Sequence, residues 1–164
     1  MINYKDFPSD SRVWIYQSNR VLGEKEVLEI KRQSESFVEN WKAHGKHVRA
    51  TIEIFYDRFI VIFVDEKVAP MGGCSIDDSL NFIQNIEREF RLILLDRMVM
   101  AYRNIDGLIC TCRLDELESL IEKKEIRMES IVFNNLVSIK HDFESKWELP
   151  LVHSWYWQKY GQQA

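Results

Sequence analysis

Long apolar runs are missing from this chain of 164 residues. The longest, such as Phe59–Val64, is far shorter than the ~20 residues of a membrane-spanning helix. Residues 1–20 carry acids, a proline and polar side chains where a signal peptide has its apolar region. We therefore expect neither a signal peptide nor a membrane span.

An excess of basic residues is also missing. The chain has 22 Lys and Arg residues against 26 Asp and Glu residues, which gives a net charge of −4. Nucleic-acid-binding domains usually carry a basic patch and a pI above about 9. The charge balance therefore argues against nucleic acid as the main partner.

Cysteine, proline and glycine are scarce. The three cysteines are an odd number in a chain with no predicted leader, and this suits a reducing, cytoplasmic compartment. No linker rich in proline or glycine divides the chain, whose length is within the ~100–200 residues of one domain. We expect a single α+β domain over residues 1–164, located in the cytoplasm.

The first third of the chain contains a strand pattern followed by a helix pattern. Arg12–Ser18 is rich in β-branched and aromatic residues, which predicts a strand. A helix is predicted from Gly23, since core-facing positions recur every three or four residues. These positions are Val27, Ile30, Ser34, Phe37 and Trp41. Gly45 stands where a C-terminal helix cap is expected.

Residues 49–65 are too many for one ordinary strand of about 5–6 residues. We divide them at Asp57-Arg58 into a β-hairpin, and the alternating first half predicts a half-buried strand. Phe59–Val64 is apolar on both faces. That pattern suits a central strand covered on two sides, or a strand at a subunit interface.

The rest of the chain predicts shorter elements after one more long helix. The predicted segments are a helix from about Ile76 to Leu94, strands at Met98–Tyr102 and Leu108–Cys112 around a tight turn, a short helix at Leu114–Lys124, an ambiguous segment at Ser130–Val137, and a helix at Ser138–Trp147. Leu149-Pro150 ends the last of these.

The order of elements up to residue 103 is β-α-β-β-α-β. This is the succession of the ferredoxin-like fold, an antiparallel sheet with both helices on one face. We therefore predict an α+β protein of ferredoxin-like topology, to which the C-terminal third adds further strands and helices.

The segment MGGCSIDDSL, residues 71–80, has the composition of a site. A phosphate-binding loop would need a lysine that this segment lacks, and the carboxylates of Asp77 and Asp78 would repel a phosphate. A capped helix start explains more, with Ser75 as the N-cap and Asp78 three residues later. The preceding glycines allow the tight turn into such a helix.

A third interpretation makes Cys74 a nucleophile, because a thiol at a helix N-terminus can have a lowered pKa. The two nearby aspartates oppose that shift, and no histidine stands at a recognisable spacing from Cys74. Acidic residues that collect around the hairpin and this loop could instead hold a magnesium ion, or could simply be solvated. The candidate site residues are Asp65, Gly73, Cys74, Ser75 and Asp77.

Two other features have a structural and a functional interpretation. Cys110 and Cys112 would face the same side of a strand, but structural zinc needs four ligands and no second pair follows, so we expect buried packing and no metal or other cofactor. The aromatic segment SWYWQKYG, residues 154–161, could stack sugars or bases. More often such a segment anchors a terminus on the core or on a second subunit.

Five segments resemble a set of short bacterial proteins of the Bacteroidetes type that often carry the label ABC transporter ATPase. They are SRVWIYQSNR, WKAHG, DRFIVIFVDE, GCSIDDSL and VFNNLV. An ATPase of that class needs a Walker A loop, a Walker B strand and a signature motif, and this chain contains none of them. The resemblance therefore implies no catalytic residue, and we expect no ATPase activity.

Two classes of function stay open. The first is a cytoplasmic binding or accessory protein that self-associates as a homodimer and takes a protein or small-molecule ligand. The second is a small hydrolase or transferase that uses Cys74 or the carboxylates near it.

Overall fold

The computed structural model describes residues 1–161 and has mixed helices and antiparallel sheets, so the predicted α+β class is confirmed. The chain divides into two compact units. Unit 1 contains Met1–Leu95 and Ser138–Phe143, and unit 2 contains Asp96–Val137 and the residues from Glu144 onward. The single domain over residues 1–164 stays a prediction.

Unit 1 is built from a three-stranded sheet, a small hairpin and two long helices. Its elements are a 3-10 turn (Tyr4–Asp6), β1 (Arg12–Gln17), α1 (Glu24–Asn40), β2 (Lys42–Ala43), β3 (Lys46–His47), β4 (Arg49–Phe55), β5 (Phe59–Asp65) and α2 (Gly73–Phe90). The sheet order is β1-β5-β4, and both pairs are antiparallel.

The predicted central strand is β5, and all seven of its residues are buried. Ile60, Ile62 and Val64 face the core that α1 and α2 cover. On the opposite face the Phe63 ring stacks on Tyr4 at 4.8 Å and meets Phe143 edge-on at 5.2 Å, measured between ring centroids. The strand is therefore covered on two sides because its side chains are apolar on both.

The hairpin between β4 and β5 turns where it was predicted. Tyr56 and Asp57 have φ angles of 54° and 47°, and the Arg58 N–H donates to the Phe55 carbonyl at 3.1 Å. Two successive left-handed residues make the mirror-image turn that matches strand twist. The usual Asn-Gly pair is absent, so the strands enforce this turn on less suitable residues.

The helix ends differ from the predictions. Gly45 does not cap α1, which ends at Asn40, but lies with His44 in the two-residue turn between β2 and β3. Its φ of 77° explains why a glycine is there. The second helix, α2, spans Gly73–Phe90 rather than Ile76–Leu94, and Arg91 ends it in the left-handed conformation.

Unit 2 consists of short elements around a four-stranded sheet of order β7-β6-β8-β9. Its elements are β6 (Val99–Arg103), β7 (Ile109–Arg113), a 3-10 turn (Leu114–Glu116), α3 (Leu117–Glu122), β8 (Ile131–Phe133), β9 (Glu148–Pro150), a 3-10 turn (Leu151–His153) and a π-helical turn (Trp157–Gly161). A further helix, α4 (Lys140–Lys146), begins in unit 1 and ends in unit 2.

The ferredoxin-like topology is not confirmed. The strand expected to be the fourth of that sheet, now β6, pairs with β7 and β8 in unit 2 and not with the strands of unit 1. In unit 1, β1 pairs antiparallel with β5 over Arg12–Gln17. The element order was predicted, but order alone does not determine which strands pair.

Residues 138–143 return to unit 1 and close one side of its sheet. The Val13 N–H donates to the Ser138 carbonyl at 2.9 Å, and Arg12 forms a bridge with Ile139. The buried Lys140 donates from Nζ to the carbonyls of Lys5 and Phe7 at 2.9 and 2.8 Å. These bonds attach a late segment of the chain to its beginning.

Candidate functional site

The segment predicted as a site forms the first turn of α2. Gly73 is the first helical residue, and Cys74 and Asp77 are exposed on the helix surface. Ser75 is buried, with 3% of its surface exposed. The prediction that Ser75 is the N-cap is wrong, because the helix starts at Gly73, three residues before the predicted start, and Gly72 occupies the cap position.

The Ser75 hydroxyl nevertheless holds this helix start together. Its Oγ accepts a hydrogen bond from the Gly72 N–H and donates one to the Gly72 carbonyl, both at 2.9 Å. At the third helical position this hydroxyl takes the role that glutamate or glutamine has in a capping box. The Ser75 carbonyl also accepts the Trp41 indole N–H at 3.0 Å. The hydroxyl and the carbonyl of Ser75 are therefore both used in structural hydrogen bonds.

Asp65 ends β5 with 4% of its surface exposed. One carboxylate oxygen accepts from Arg49 Nη1 at 3.0 Å, and the other accepts the Lys67 backbone N–H at 3.1 Å. Both oxygens are thus occupied by partners outside the Gly73–Asp77 segment. Asp65 anchors the end of a strand, and no hydrogen bond joins it to Cys74.

The start of α2 has a neighbour that the sequence did not reveal. A Cβ atom on Gly72 would lie 3.0 Å from His44 Nε2, so this imidazole touches the backbone two residues before Cys74. His44 reaches that place from the tight turn between β2 and β3, where its own φ is 50°. The His44-Gly45 pair is a hairpin-turn signal that could have placed it.

The other two cysteines lie on β7. Cys112 is buried, and its burial raises the pKa of the thiol to about 12. Cys110 is half-buried and packs against the same core, so the two thiols share a face as predicted. Within residues 1–161 there is no group of three or more His, Cys, Asp or Glu side chains arranged to hold a metal ion.

A cleft of about 700 Å³ opens in unit 2 and contains none of the predicted site residues. We call it the unit 2 cleft. Five charged side chains line it, namely Arg103, Lys124, Glu125, Arg127 and Glu129. Arg103 is held by Glu148 at 3.0 Å. The other four form no ion pair with any residue in the described part of the chain.

Tyr102 and Cys110 contribute the wall of this cleft that comes from the sheet. Tyr102 is 8% exposed, and burial raises the pKa of its hydroxyl above the usual 10.0. The phenol therefore stays protonated at neutral pH and remains a hydrogen-bond donor. The cleft thus joins unpaired charges of both signs with a neutral donor, which suits a polar ligand.

Lys124 occupies an unusual backbone position at the edge of the cleft. It follows α3 with a φ of 60°, and its N–H donates to the Ile121 carbonyl at 3.0 Å. The Glu125 N–H donates to the Leu120 carbonyl at 3.0 Å, which completes a Schellman motif. Glycine is the usual residue there, so lysine is retained at a cost in backbone strain.

A second concavity, which we call the α1–α2 groove, lies in unit 1 and has a volume of about 380 Å³. The C-terminal end of α1 and the middle of α2 supply its walls. Its lining includes Phe37, Trp41 and Phe82 together with Asp78 of the predicted capping pair. Neither Cys74 nor Asp65 lines either concavity.

The C-terminal aromatic residues dock on the core of unit 2, as predicted. Tyr156 is 4% exposed, and its hydroxyl donates to the Phe133 carbonyl at 3.0 Å. Trp155, Trp157 and Tyr160 are partly buried against the same core. The rings are used for packing, which removes most of the surface that would stack a sugar or a base.

Comparison of this chain with models of protein families, with curated proteins and with solved structures finds no match. In the described part of the chain no helix is long and apolar enough to cross a lipid bilayer. The functional interpretation therefore rests on the geometry of the clefts and on the chemistry of the side chains in them.

Proposed function

We propose that the chain is a binding protein without ATPase activity, and that the unit 2 cleft holds a small polar ligand carrying both positive and negative groups. The unpaired cations Lys124 and Arg127 suit an anionic group on the ligand, and Glu125 and Glu129 suit a cationic group. Tyr102, which also lines the cleft, adds a neutral hydroxyl to these charges. Such mixed lining favours zwitterions over nucleotides, which carry several negative charges.

The observation that carries this proposal is Lys124 in the left-handed conformation. Strain of this kind persists where the surrounding structure enforces it, and it concentrates at sites that need a particular side chain. Glycine would fit the Schellman motif better, yet it would remove the ammonium group from the cleft. The strain is therefore consistent with selection of lysine for binding.

The test is a Lys124→Gly substitution. We expect it to raise the free energy of unfolding by up to ~1 kcal/mol, because the left-handed conformation costs glycine least. At the same time it should weaken binding of zwitterionic probes such as glutamate, arginine and O-phosphoserine, followed by amide chemical shifts in NMR titrations. A variant that is more stable but binds less well separates the two roles.

The matched control is Lys123→Ala, which removes the neighbouring exposed cation that does not line the cleft. This control should bind the same probes as the unmodified protein does. If Lys124→Gly binds them as well as the control, or if no probe shifts resonances of residues in the cleft, the ligand does not bind there.

The absence of ATPase activity is part of the same proposal. No Walker motif is present, and the resemblance to proteins labelled as ABC ATPases supplies no phosphate-binding residue. We expect no magnesium-dependent ATP turnover by the purified protein. Turnover that persists through rigorous purification would contradict this.

A second candidate function is a small hydrolase or transferase that uses Cys74. The observation that favours it is the contact of His44 with Gly72, since it brings an imidazole, a candidate general base, to the helix start that carries Cys74. The exposed position of Cys74 leaves it open to a substrate. Asp77, also exposed on this turn, works against a thiolate.

Alkylation by iodoacetamide, followed by mass spectrometry, tests this candidate without a known substrate. Activation predicts that Cys74 reacts faster than a free model thiol, that His44→Ala slows the reaction and that Asp77→Asn accelerates it. If Cys74 reacts at the rate of a free model thiol in all three proteins, the hydrolase or transferase candidate is rejected and the binding function is the one that stands. His47→Ala, in the adjacent strand β3, is the matched control.

We also propose that the protein acts in the cytoplasm as a homodimer. The odd number of cysteines, all of them free, supports a reducing compartment. Val21 and Leu28 of unit 1, which are 56% and 68% exposed, are apolar side chains that a second copy would cover in a homodimer. Light scattering coupled to size-exclusion chromatography measures the mass, and a monomer at ~100 μM would contradict the dimer.

A further inference from the structure

We infer that the outer edge of β7 binds an extended segment of a partner protein, one with apolar or β-branched residues in its middle and a basic residue at each end. This edge lies wholly in unit 2. Its open backbone groups belong to Ile109 and Thr111, neither of which lines the unit 2 cleft, so the inference does not depend on the ligand proposed for that cleft. The backbone, the side chains and the charge of β7 each define one property of the partner.

The alternation of hydrogen bonds along β7 shows which backbone groups are open. At the turn before β7 the Asn104 N–H donates to the Leu108 carbonyl at 2.9 Å, so every second residue from Leu108 onward bonds to β6. The residues between them, Ile109 and Thr111, therefore direct their N–H and carbonyl groups away from the sheet. These four groups have no hydrogen-bond partner among the described residues.

The open segment has a defined length. Arg113 is the next residue to point outward, but its N–H donates to the Glu116 carboxylate at 3.2 Å, which ends the segment on that side. On the other side the Gly107 N–H donates to the Asn104 carbonyl at 2.9 Å inside the turn. Donors and acceptors that alternate in extended geometry between these two ends match another extended backbone, which adds to a sheet as a further strand.

This edge lacks the features that normally prevent a further strand from pairing. β9, at the other edge of the same sheet, is only three residues long and ends in Pro150, which has no N–H. By contrast, β7 has five residues without proline or lysine, and it pairs with β6 in a continuous register without a bulge. One edge of the sheet is therefore protected and the other is left open.

Apolar side chains flank the open segment on both faces of the sheet. Leu108 is 64% exposed and shares a face with the two cysteines of β7, whereas Ile109 is half-buried and lies on the opposite face. Ile105, in the turn before them, is 89% exposed. A partner strand with apolar or β-branched residues at successive positions would cover Leu108 on one face and Ile109 on the other.

The surroundings of β7 are acidic at both of its ends. Residues 105–118 contain one base and four acids, namely Arg113, Asp106, Asp115, Glu116 and Glu118. Before the strand, Asp106 is exposed and forms no ion pair with a described residue. After the strand, Arg113 is already paired with Asp115 at 3.3 Å and leaves the two glutamates without a counter-charge.

This distribution of charge favours a basic partner over a second copy of the chain. An antiparallel pair of two β7 strands would bring Asp106 of each copy towards the acids that follow β7 in the other. A strand with a basic residue at each end has the opposite sign at both places. Exposed ion pairs contribute little affinity, so the backbone ladder and the apolar contacts bind the strand while the charges select it.

The experiment uses the full chain labelled with ¹⁵N and the heptapeptide acetyl-Lys-Val-Thr-Val-Thr-Val-Lys-amide as the probe. The five residues between its lysines match the length of β7. Saturating peptide should slow hydrogen exchange of the Ile109 and Thr111 amides by at least ~10-fold, because both become donors in the new ladder. A peptide bound elsewhere on unit 2 would not protect these two amides.

Three modified peptides separate the contribution of the backbone from that of the charge. N-methyl groups are placed either on the valine nitrogens or on the threonine nitrogens, since one of the two sets faces β7. That methylated peptide should bind at least ~10-fold more weakly than the probe, because it loses two hydrogen bonds. The third peptide has glutamate in place of both lysines and should bind at least ~3-fold more weakly.

Thr111→Pro and Thr111→Val form a matched pair at the open segment. Proline removes an outward N–H and places its ring on the side of the partner strand, and it is tolerated there because this N–H takes no part in the ladder with β6. We expect Thr111→Pro to abolish protection of the Ile109 amide by the peptide. Thr111→Val keeps the N–H and a β-branched shape, so the affinity should stay within ~2-fold.

A second matched pair tests the charge without changing the strand. Asp106→Lys should weaken the peptide by at least ~3-fold, because it reverses the charge at one end of β7. Glu122→Lys makes the same change at an exposed position outside residues 105–118, and it should leave the affinity unchanged. This pair decides the question if Thr111→Pro does not fold.

The inference is overturned if ~5 mM peptide, enough to saturate a weak site, does not protect the Ile109 and Thr111 amides. It is also overturned if both methylated peptides bind as tightly as the probe, or if Asp106→Lys and Glu122→Lys behave alike. Protection of the same amides that rises with protein concentration in the absence of peptide would assign the edge to a second copy, and this result too would overturn it.

Discussion

The central strands of the two units are held in different ways. In unit 1, β5 pairs with β1 from Arg12 to Gln17 and with β4 from Arg49 to Phe55, so both of its edges are bonded along their length. In unit 2, β6 pairs with β7 over five residues but meets β8 only at the Tyr102–Val132 pair. A continuous ladder holds the first sheet, whereas the second depends more on what packs against it.

What packs against the second sheet is largely the C-terminal segment. Tyr156 and Leu151 belong to the buried core of unit 2, and Trp155, Trp157 and Tyr160 pack around it. In unit 1 the late segment, residues 138–143, contributes the Phe143 ring and the buried Lys140 ammonium group. A unit with short strands can therefore reach a stable core through aromatic side chains contributed after the last strand.

Removal of residues 154–164 should give the largest effect and break unit 2 selectively. Burial of Tyr156 alone is worth ~3–5 kcal/mol, and with its aromatic neighbours the loss should exceed ~5 kcal/mol. Hydrogen exchange read by mass spectrometry should show loss of protection in β6–β8 while β5 stays protected. Gln158→Ala, a change at an exposed side chain of the same segment, is the control. Unchanged protection in unit 2 would refute its dependence on the tail.

Phe63→Ala should have the next largest effect, a loss of stability in unit 1. The ring is fully buried and contacts Tyr4 and Phe143, so its removal leaves a cavity that costs ~3–5 kcal/mol. Urea denaturation measures this loss. Lys31→Ala on the exposed side of α1 should change stability by less than ~0.5 kcal/mol. A cost below ~1 kcal/mol for Phe63→Ala would show that the packing of Phe63 in β5 contributes little to the stability of unit 1.

Ser75→Ala should cost ~1–2 kcal/mol, because the substitution leaves the Gly72 N–H without its acceptor. The effect belongs to unit 1 and is smaller than that of Phe63→Ala, since one hydrogen bond is lost and no large cavity forms. Thermal unfolding of Cys74→Ser, one residue earlier and exposed, supplies the comparison. Equal melting temperatures for the two variants would contradict the capping role of Ser75.

The smallest expected effect is a loss of stability of unit 2 at high pH. Burial raises the pKa of Cys112 to about 12 from its ordinary value of 9.0, and burial also raises the pKa of Tyr156. In the unfolded chain both groups lose their protons at lower pH, so the stability of unit 2 is complete below pH 9 and declines as the pH rises above it. The urea concentration at the midpoint of unfolding should fall as the pH rises from 7 to 10.5. This decrease with pH should be smaller in Cys112→Ala than in Cys110→Ala. An increase in stability with pH in this range would contradict the raised pKa values of Cys112 and Tyr156 in the folded chain.

The sequence predicted unit 1 better than unit 2, and the reason is the length of the patterns. Six consecutive apolar residues in β5 and the regular spacing of buried positions in α1 leave few alternatives to a central strand and an amphipathic helix. The strand β8 has three residues, too few for a period to be visible, so the sequence of Ser130–Val137 stays ambiguous between strand and helix. Pairing of β6 in unit 2 rather than unit 1 depends on contacts that no local pattern encodes.

The candidate site was predicted only in part for a related reason. Local chemistry located a helix start at Gly72–Ser75 but shifted the cap by three residues, since serine satisfies the backbone equally well from the third helical position. The approach of His44 to Gly72 and the charges around Lys124 come from residues far apart in the chain or from a backbone angle. Such groupings emerge only from the folded chain.

The return of residues 138–143 to unit 1 has a consequence for the order of events during synthesis. A ribosome that has released residues 1–95 has produced both long helices and all the strands of the first sheet, yet Phe143 and Lys140 have not been made. Until they emerge, Phe63 lacks one aromatic neighbour, and the carbonyls of Lys5 and Phe7 lack their ammonium donor. The nascent chain must therefore carry an unfinished apolar face through translation of residues 96–137, and chaperone binding in that interval would protect it.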